Sequence, residues 1–232
     1  MVPIVDIRGL SYTHPDGTQA IRNIDLKVSE GENLVLFGPN GSGKTTLLLQ
    51  LNGALTGRGE ITVAGLRVAK ANLQEIRRTV GIVFQEPDDQ LFMPTVLDDV
   101  MFGPLNLGWS RDKAEKRSRL VLSDVGISAE LFKRPPFHLS AGEKRRVALA
   151  GVLVMEPKLL LLDEPTTSLD PPGQRALVNL LNSLPQTKIV STHDVHFAAT
   201  LSQRAVFLQN GEIVADGPVT DLARRFGWDP YA

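Results

Sequence analysis

The sequence contains no cysteine, which excludes disulfide bonds and thiolate metal sites. It also has no apolar run of the roughly 18 residues that a membrane-spanning helix needs. The first ten residues alternate apolar and polar side chains and lack the basic stretch that opens a secretory signal peptide. The net charge of −1 provides no basic field to attract nucleic acid. We therefore expect a cytosolic protein with no nucleic-acid partner.

Strand and helix patterns alternate along most of the 232 residues, which predicts an α/β protein. The pattern predicts strands at Ile4–Leu10, Ile24–Val28, Asn33–Phe37, Ile61–Val68, Leu159–Leu162 and Ile189–Val190, and a hairpin that turns at Asn210-Gly211. Between about residues 90 and 140 the strand patterns fade, and a helix is expected from Ser110 as N-cap to Val125. We expect a mainly parallel core sheet, an antiparallel β subdomain and an inserted α-helical subdomain.

A glycine-rich segment follows the predicted strand Asn33–Phe37. It runs Gly38-Pro39-Asn40-Gly41-Ser42-Gly43-Lys44-Thr45 and matches the pattern G-x-x-x-x-G-K-[ST] of a phosphate-binding loop. Glycines allow the backbone to approach phosphate closely, and the N–H groups at the start of the next helix attract the anion. Lys44 is expected to reach the β- and γ-phosphates, Thr45 to bind Mg²⁺, and Thr46 to add a hydroxyl to a phosphate. The segment therefore predicts a P-loop NTPase that binds a nucleotide with Mg²⁺.

Two carboxylates, Asp163 and Glu164, follow the apolar run Leu159–Leu162. Ligands of open α/β sheets bind at the carboxyl ends of the strands, so both side chains are candidates for the same site. Asp163 suits the Mg²⁺ shell, and Glu164 suits the orientation or deprotonation of an attacking water. Acids after a strand are common, and the alternative is that they only begin a turn.

A third segment, Leu139-Ser140-Ala141-Gly142-Glu143, begins a helix that is expected to reach Met155. Ser140 and Glu143 have the spacing of a capping box, which many ordinary helices use. However, the order of the phosphate loop, Gln85, this segment, Asp163-Glu164 and His193 resembles the ATP-binding cassette (ABC) ATPase family over essentially the whole chain. The resemblance implies one cassette domain over residues 1–232, with its helical subdomain at about 90–140.

The resemblance also implies roles for single residues. Tyr12 is similar to the aromatic residue that stacks on adenine, and Gln85 to the glutamine that contacts Mg²⁺ and senses the γ-phosphate. Ser140 and Gly142 resemble the signature that contacts ATP held by a second cassette, and Asp170 the aspartate that crosses this interface. His193 resembles the switch histidine at the γ-phosphate. The implied catalytic residues are Lys44, Gln85, Glu164 and His193.

Each of these residues also has a simpler interpretation. Tyr12 could pack within a strand, and Gln85 could be a surface residue. Asp170 could cap a helix before Pro171, and His193 could be an ordinary core histidine. Two positions of this segment depart from the family pattern, because Ala141 and Glu143 stand where a glycine and a glutamine are usual. We expect the Glu143 carboxylate to fold back onto the backbone of Ser140.

Segments 81–92 and 100–108 resemble the ATPase components of energy-coupling factor (ECF) uptake transporters, particularly those for cobalt and nickel. This resemblance implies ATP hydrolysis at the cytoplasmic face of the cell membrane by a head-to-tail dimer of two copies. It also implies a transmembrane partner in a groove near Gln85–Gln90, where Glu86, Asp88 and Asp89 would face basic residues. The alternatives are an ECF ATPase for biotin or another vitamin, a soluble ABC ATPase without a transport role, or a cassette that binds ATP only as a scaffold.

Overall fold

A computed structural model describes residues 3–228, so the first two and last four residues of the expected 1–232 domain lie outside the described residues. The strands are β1 Pro3–Thr13, β2 Gln19–Ser29, β3 Asn33–Phe37, β4 Arg58–Val63, β5 Leu66–Arg67, β6 Val80–Val83, β7 Leu159–Asp163, β8 Thr187–Ser191, β9 Arg204–Gln209 and β10 Glu212–Pro218. The α-helices are α1 Lys44–Leu51, α2 Leu73–Thr79, α3 Val96–Asn106, α4 Arg111–Asp124, α5 Ala141–Leu153, α6 Pro171–Ser183, α7 Val195–Leu201 and α8 Val219–Arg225.

The strands form two sheets. The larger sheet has the order β10-β9-β3-β8-β7-β6, and only β10 runs antiparallel to its neighbour. The smaller sheet has the order β2-β1-β4-β5 and is antiparallel throughout. The mixed α/β fold with a mainly parallel core sheet and an antiparallel layer is therefore confirmed.

Strand β7 shows how the core sheet is buried on both faces. Leu160 and Leu162 pack into the cluster formed with helices α3 to α7, whereas Leu159 and Leu161 pack towards α1 and the antiparallel sheet. Because successive side chains of a strand point to opposite faces, the unbroken leucine run supplies both clusters. A parallel sheet covered on both sides offers its strand ends as the open edge where a ligand binds.

The stretch between β6 and β7 contains helices α3, α4 and α5 and no strand. The expected helix at Ser110–Val125 is confirmed as α4, because the Ser110 hydroxyl accepts a hydrogen bond from the Lys113 amide and Val125 is the C-cap. The buried faces of these three helices include Val100, Leu122 and Val147. This packing fixes the direction of α5, which begins at the residue after Ser140.

Two strand predictions were wrong in detail. The segment Ile61–Val68 was expected as one strand, but it breaks into β4 and β5 at Ala64-Gly65. Both turn residues have positive φ, 48° and 80°, which is the conformation of a two-residue hairpin turn. The alternating pattern alone also missed β6, because only four residues pair with β7. The hairpin at Asn210-Gly211 is confirmed, with φ values of 51° and 82°.

Candidate functional site

The glycine-rich segment forms the loop between β3 and α1. Gly43, the residue before α1, has φ of 106°, and a Cβ there would lie 2.5 Å from the carbonyl oxygen of Ala20. At Gly38 a Cβ would overlap the Leu208 carbonyl oxygen. Only glycine fits these two positions, so the loop backbone stays close to β2 and β9. The resulting concave backbone, followed by the start of α1, is a suitable cradle for phosphate.

Lys44 lies inside this loop and is almost fully buried. Its Nζ donates hydrogen bonds to the carbonyl oxygens of Gly38 at 2.7 Å and Pro39 at 3.3 Å. The same nitrogen lies 3.7 Å from Oε1 of Glu164. Its positive charge therefore lies between the loop and the acidic strand end, where the terminal phosphates of a nucleotide would pass.

Asp163 is the last residue of β7 and joins the loop to the neighbouring strand. Its Oδ2 accepts a hydrogen bond from the Thr45 hydroxyl at 2.7 Å, and its Oδ1 accepts one from the Ser191 hydroxyl. Register explains the second contact, because Asp163 pairs with Ser191 between β7 and β8. The structure thus holds the Asp163 carboxylate beside the hydroxyl that the sequence predicted as a Mg²⁺ ligand.

Glu164 is 7% exposed, and a positive φ of 42° turns its backbone away from the direction of β7. Its amide donates hydrogen bonds to the backbone and side-chain oxygens of Ser191, which hold this turn. Oε2 lies 2.8 Å from Nδ1 of His193, whereas Oε1 is buried without a hydrogen-bond partner. An unpaired buried carboxylate oxygen is costly, so Oε1 is suited to accept a hydrogen bond from a water molecule.

A groove of about 430 Å³ opens in front of these side chains. Its walls are the loop residues Asn40–Thr46, the turn residues His14 and Thr18, the first two residues of β2, Gln19 and Ala20, and the side chains of Gln85, Asp163 and Glu164. Lys44, Thr45 and Thr46 therefore share one groove with Gln85, Asp163 and Glu164, and His193 contacts Glu164. Volume and charge fit a nucleotide whose phosphates lie on the loop and whose base lies near His14.

Tyr12 does not line this groove. Its ring packs against the core of the antiparallel sheet and meets the His14 ring edge-on, with ring centroids 5.0 Å apart. His14 faces the groove instead. Adenine stacking by Tyr12 stays a prediction, and the structure adds His14, which the sequence reasoning missed because it looked for a tyrosine.

Oxygen ligands of the kind that Mg²⁺ prefers line this groove. They are the Thr45 hydroxyl, the Asp163 carboxylate and the Gln85 side-chain amide. No group of three or more histidines, cysteines or acids within residues 3–228 has an arrangement that could hold a metal ion. A set with one carboxylate fits Mg²⁺, which keeps water and phosphate oxygens as its remaining ligands. The residues present therefore fit a magnesium–nucleotide complex.

The signature residues lie outside this groove. Ser140 caps α5, and the capping box is confirmed, because Oε2 of Glu143 accepts hydrogen bonds from the Ser140 amide at 2.8 Å and hydroxyl at 2.7 Å. These two bonds hold the pKa of the Glu143 carboxyl below its usual value. Asp170 caps α6 by accepting a bond from the Gly173 amide at 2.9 Å. A second chain would have to supply Ser140, Gly142 and Asp170 to the groove.

A second groove, of about 400 Å³, lies beyond Gln85. Gln90 closes the loop that follows Gln85, because its side chain accepts a bond from the Phe84 amide at 2.8 Å and donates one to the Ile82 carbonyl at 3.1 Å. Phe92 and Phe102 stand at its rim, 63% and 41% exposed, with ring centroids 5.0 Å apart. Asp88 instead forms an ion pair with Lys144 at 2.7 Å. The groove is apolar and has two exposed aromatic rings at its edge.

The floor of the second groove contains Asp99, which the sequence reasoning did not single out. It is 9% exposed, and its Oδ1 accepts hydrogen bonds from the Phe92 and Met93 amides, both at 3.0 Å. Its Oδ2 is buried without a partner. Burial raises the pKa of the Asp99 carboxyl, and the two amide bonds oppose this effect. No sequence motif marks Asp99, because its burial depends on how the Phe92–Met93 segment folds over α3.

The fold and site define a class of protein, the P-loop nucleoside triphosphatases, in which a parallel sheet presents a phosphate loop beside an aspartate and a glutamate. The family model described as "ABC transporter" matches residues 21–167. The chain therefore belongs to the ABC transporter family, as an ATPase that resembles those of energy-coupling factor transporters.

Known proteins agree with this assignment. The energy-coupling factor transporter ATP-binding protein EcfA of Methanothermobacter thermautotrophicus is 47% identical, over 95% of this chain and 73% of that protein. The solved structure of cbiO1 from Clostridium perfringens, part of the ABC transporter complex cbiONQ, is 36% identical with a TM-score of 0.85 and covers 97% of this chain and 92% of cbiO1. The ATP-binding cassette MJ0796, a dimer bound to ADP and Pi, is 28% identical with a TM-score of 0.83 over 93% and 98% of the two chains.

Proposed function

We propose that this chain is the ATP-hydrolysing subunit of an ECF-type uptake transporter for cobalt or nickel ions. The observation that carries the ATPase assignment is the Glu164 carboxylate, which has Oε2 on His193 and Oε1 in an ion pair with Lys44 but without a hydrogen bond. A scaffold cassette that only binds ATP would not need a buried carboxylate oxygen that lacks a hydrogen bond at this place. The solute assignment rests on the resemblance of segments 81–92 and 100–108 to cobalt and nickel transporters.

Different side chains bind the phosphates, accept the proton and hold the metal ion during ATP hydrolysis. The loop amides and Lys44 hold the β- and γ-phosphates of ATP, and Glu164 accepts a proton from the water that attacks the γ-phosphorus. The bond from the γ-phosphorus to the bridging oxygen breaks, which leaves ADP and phosphate. His193 holds the carboxylate in place through Oε2. Thr45, Asp163 and Gln85 would hold Mg²⁺, which neutralises negative charge on the phosphate oxygens when bound.

The dimer proposal follows from the positions of the signature residues. In one chain, the Ser140 end of α5 and Asp170 lie outside the nucleotide groove. The residues of one chain would therefore contact the γ-phosphate from one side. A second copy in head-to-tail arrangement would close the groove with the N-terminus of its own α5. The dimeric state of the related cassette MJ0796 supports this arrangement. ATP would then hold two copies together, and hydrolysis would release them.

The membrane partner is proposed to bind the second groove, which adjoins Gln85. None of the helices in the described part of the chain has the length and apolar character to cross a bilayer. Phe92 and Phe102 offer apolar contact, and Asp99 offers a buried oxygen without a partner. The fitting occupant is a helix end of a transmembrane subunit that carries apolar side chains and one arginine or lysine. Bound to such a subunit, the chain would lie at the cytoplasmic face of the membrane as a peripheral subunit.

The proposal is tested by uptake of radioactive Co²⁺ or Ni²⁺ in cells that express this chain together with the membrane genes encoded beside it. We expect uptake that depends on an intact Lys44, with phosphate release by the purified chain. Uptake of a vitamin in place of a metal ion would overturn the solute assignment. Absence of ATP-dependent phosphate release, from the chain alone and from the assembled complex, would overturn the ATPase assignment.

A further inference from the structure

Arg145 is a buried charged side chain on α5 that the proposed mechanism does not use. Only 3% of its surface is exposed, although it lies five residues after Ser140. Burial lowers the pKa of its guanidinium, an effect that the charge of Glu86 opposes. Burying a guanidinium carries a large desolvation cost, so its position calls for compensating contacts.

Two backbone carbonyls from distant parts of the chain supply those contacts. Nη1 donates a hydrogen bond to the Phe84 carbonyl at 3.1 Å, and Nη2 donates one to the Thr167 carbonyl at 3.1 Å. The two acceptors are 83 residues apart in sequence, and both accept a hydrogen bond from this one guanidinium. The fork of an arginine suits this task, because its rigid plane presents separate N–H groups to two acceptors.

Both acceptors belong to loops that approach nucleotide. Phe84 directly precedes Gln85, which lines the nucleotide groove of its own chain. The Thr167 amide donates a hydrogen bond to the Glu164 carbonyl at 3.2 Å, and its loop continues through Ser168, with φ of 64°, to Asp170. Arg145 thus joins the segment that leads to Gln85, the predicted Mg²⁺ ligand, to the loop that follows Glu164.

From this geometry we infer that Arg145 is a positioning residue that ties the Gln85 loop and the Thr167–Asp170 loop to the helix that begins at Ser140. The three segments then move together, and a partner that presses on the groove beside Phe84 shifts the Glu164 loop through this side chain. Phe84 and Val147 both line that groove, and Val147 lies on α5 two residues after Arg145. A partner in the groove therefore contacts both the Phe84 segment and the helix that carries Arg145. The inference rests on the proposed ATPase function and adds a residue that does not touch ATP.

The test compares Arg145→Lys with Arg119→Lys. Arg119 is a matched control, because its side chain on α4 is 43% exposed, pairs with Glu115 and lies over the Phe132 ring, away from the two carbonyls that Arg145 binds. Lysine keeps the charge at position 145 but cannot span both carbonyls. We expect kcat to fall about 10- to 100-fold in Arg145→Lys, as for a misplacement of roughly 1 Å, while the KM for ATP stays within about twofold. Arg119→Lys should keep both values.

Hydrogen exchange provides a reading that a purely structural role would not give. In Arg145→Lys, amide exchange should rise together in residues 84–86 and 167–170, while the centre of α5 stays protected. In Arg145→Ala, millimolar guanidinium should restore part of the lost kcat, and it should not change Arg119→Ala.

Two results would overturn the inference. One is a kcat within twofold of the wild type in Arg145→Lys. The other is exchange that rises evenly over the whole molecule with a lowered Tm, which would assign Arg145 to stability alone. An inactive wild-type protein would instead contradict the proposed ATPase, so the two failures are distinguishable.

Discussion

Nδ1 of His193 lies 2.8 Å from Oε2 of Glu164, and the two side chains differ greatly in exposure. The histidine side chain is 64% exposed, whereas that of the glutamate is 9% exposed. The buried carboxylate therefore keeps a fixed orientation through a partner that is itself largely exposed. This arrangement leaves Oε1 free for a water molecule and makes Glu164 the most direct target for mutation.

Replacing Glu164 with glutamine should abolish turnover but keep ATP binding. The amide has nearly the same shape, but it cannot accept the proton, so kcat should fall about 10²- to 10⁴-fold. Phosphate release measures the rate, and equilibrium binding of labelled ATP measures the affinity. Glu30→Gln, an exposed replacement in the β2–β3 turn, serves as the matched control. Near-normal turnover in Glu164→Gln would remove Glu164 from the catalytic role.

Mutations at His14 and at Tyr12 should affect nucleotide affinity differently. Because His14 lines the groove and Tyr12 packs behind it, His14→Ala should weaken ATP binding by about 1–3 kcal/mol, the usual contribution of a stacked base. His14→Phe should retain most of the affinity. Tyr12→Leu should leave binding nearly unchanged, since it keeps the apolar packing and removes the ring. The dissociation constant of a fluorescent ATP analogue measures all three, and a larger loss in Tyr12→Leu than in His14→Ala would make Tyr12 the stacking residue.

The capping box should make part of the stability depend on pH. Hydrogen bonds from Ser140 lower the pKa of Glu143 in the folded chain, so the ionised form stabilises α5. This contribution is present at neutral pH and is lost as the pH falls through the folded pKa, which lies below 4.5. Urea unfolding should show Glu143→Gln less stable than the wild type at pH 7, with a difference that vanishes in acid. A difference that grows in acid would contradict this sign.

Loss of the Asp99 charge should weaken the binding of the membrane partner without unfolding the chain. Asparagine can still accept both backbone hydrogen bonds, and burial raises the pKa of Asp99, so the ionised group costs stability above that pKa. We expect Asp99→Asn to be at least as stable as the wild type at pH 7, but to co-purify with the transmembrane subunit at least tenfold less. Asp124→Asn, at the exposed end of α4, is the control. Undiminished co-purification would exclude Asp99 from the contact.

The parts of the site that depend on local sequence could be predicted. The phosphate loop is one continuous segment, and its residue types from Gly38 to Thr45 determine what it binds. The capping box needs only Ser140 and Glu143. The parts of the site that depend on packing could not be predicted. Ser191 reaches Asp163 only through the register of β7 and β8, and Arg145 is buried only because two distant loops cover it.

The same distinction between local sequence and packing explains the error in the predicted strands. Alternation predicted one strand across Ile61–Val68, but the positive φ of Ala64 and Gly65 folds the segment back on itself. Likewise, Tyr12 and His14 are two residues apart in β1 and the turn that follows, and no pattern shows which ring faces the groove. The family resemblance favoured Tyr12, whose role in stacking stays a prediction, and the structure adds His14 as a residue that lines the groove.

The turn at Asn210-Gly211 has a consequence for the order of events during synthesis. The Gly211 amide donates a hydrogen bond to the Ser42 carbonyl, and the Gly211 carbonyl accepts one from the Arg22 amide. At least the residues up to Gly211 must leave the ribosome before this turn can hold the phosphate loop against β2. A nascent chain that stops short of Gly211 should bind nucleotide poorly, so ATP cannot serve as an early template for folding.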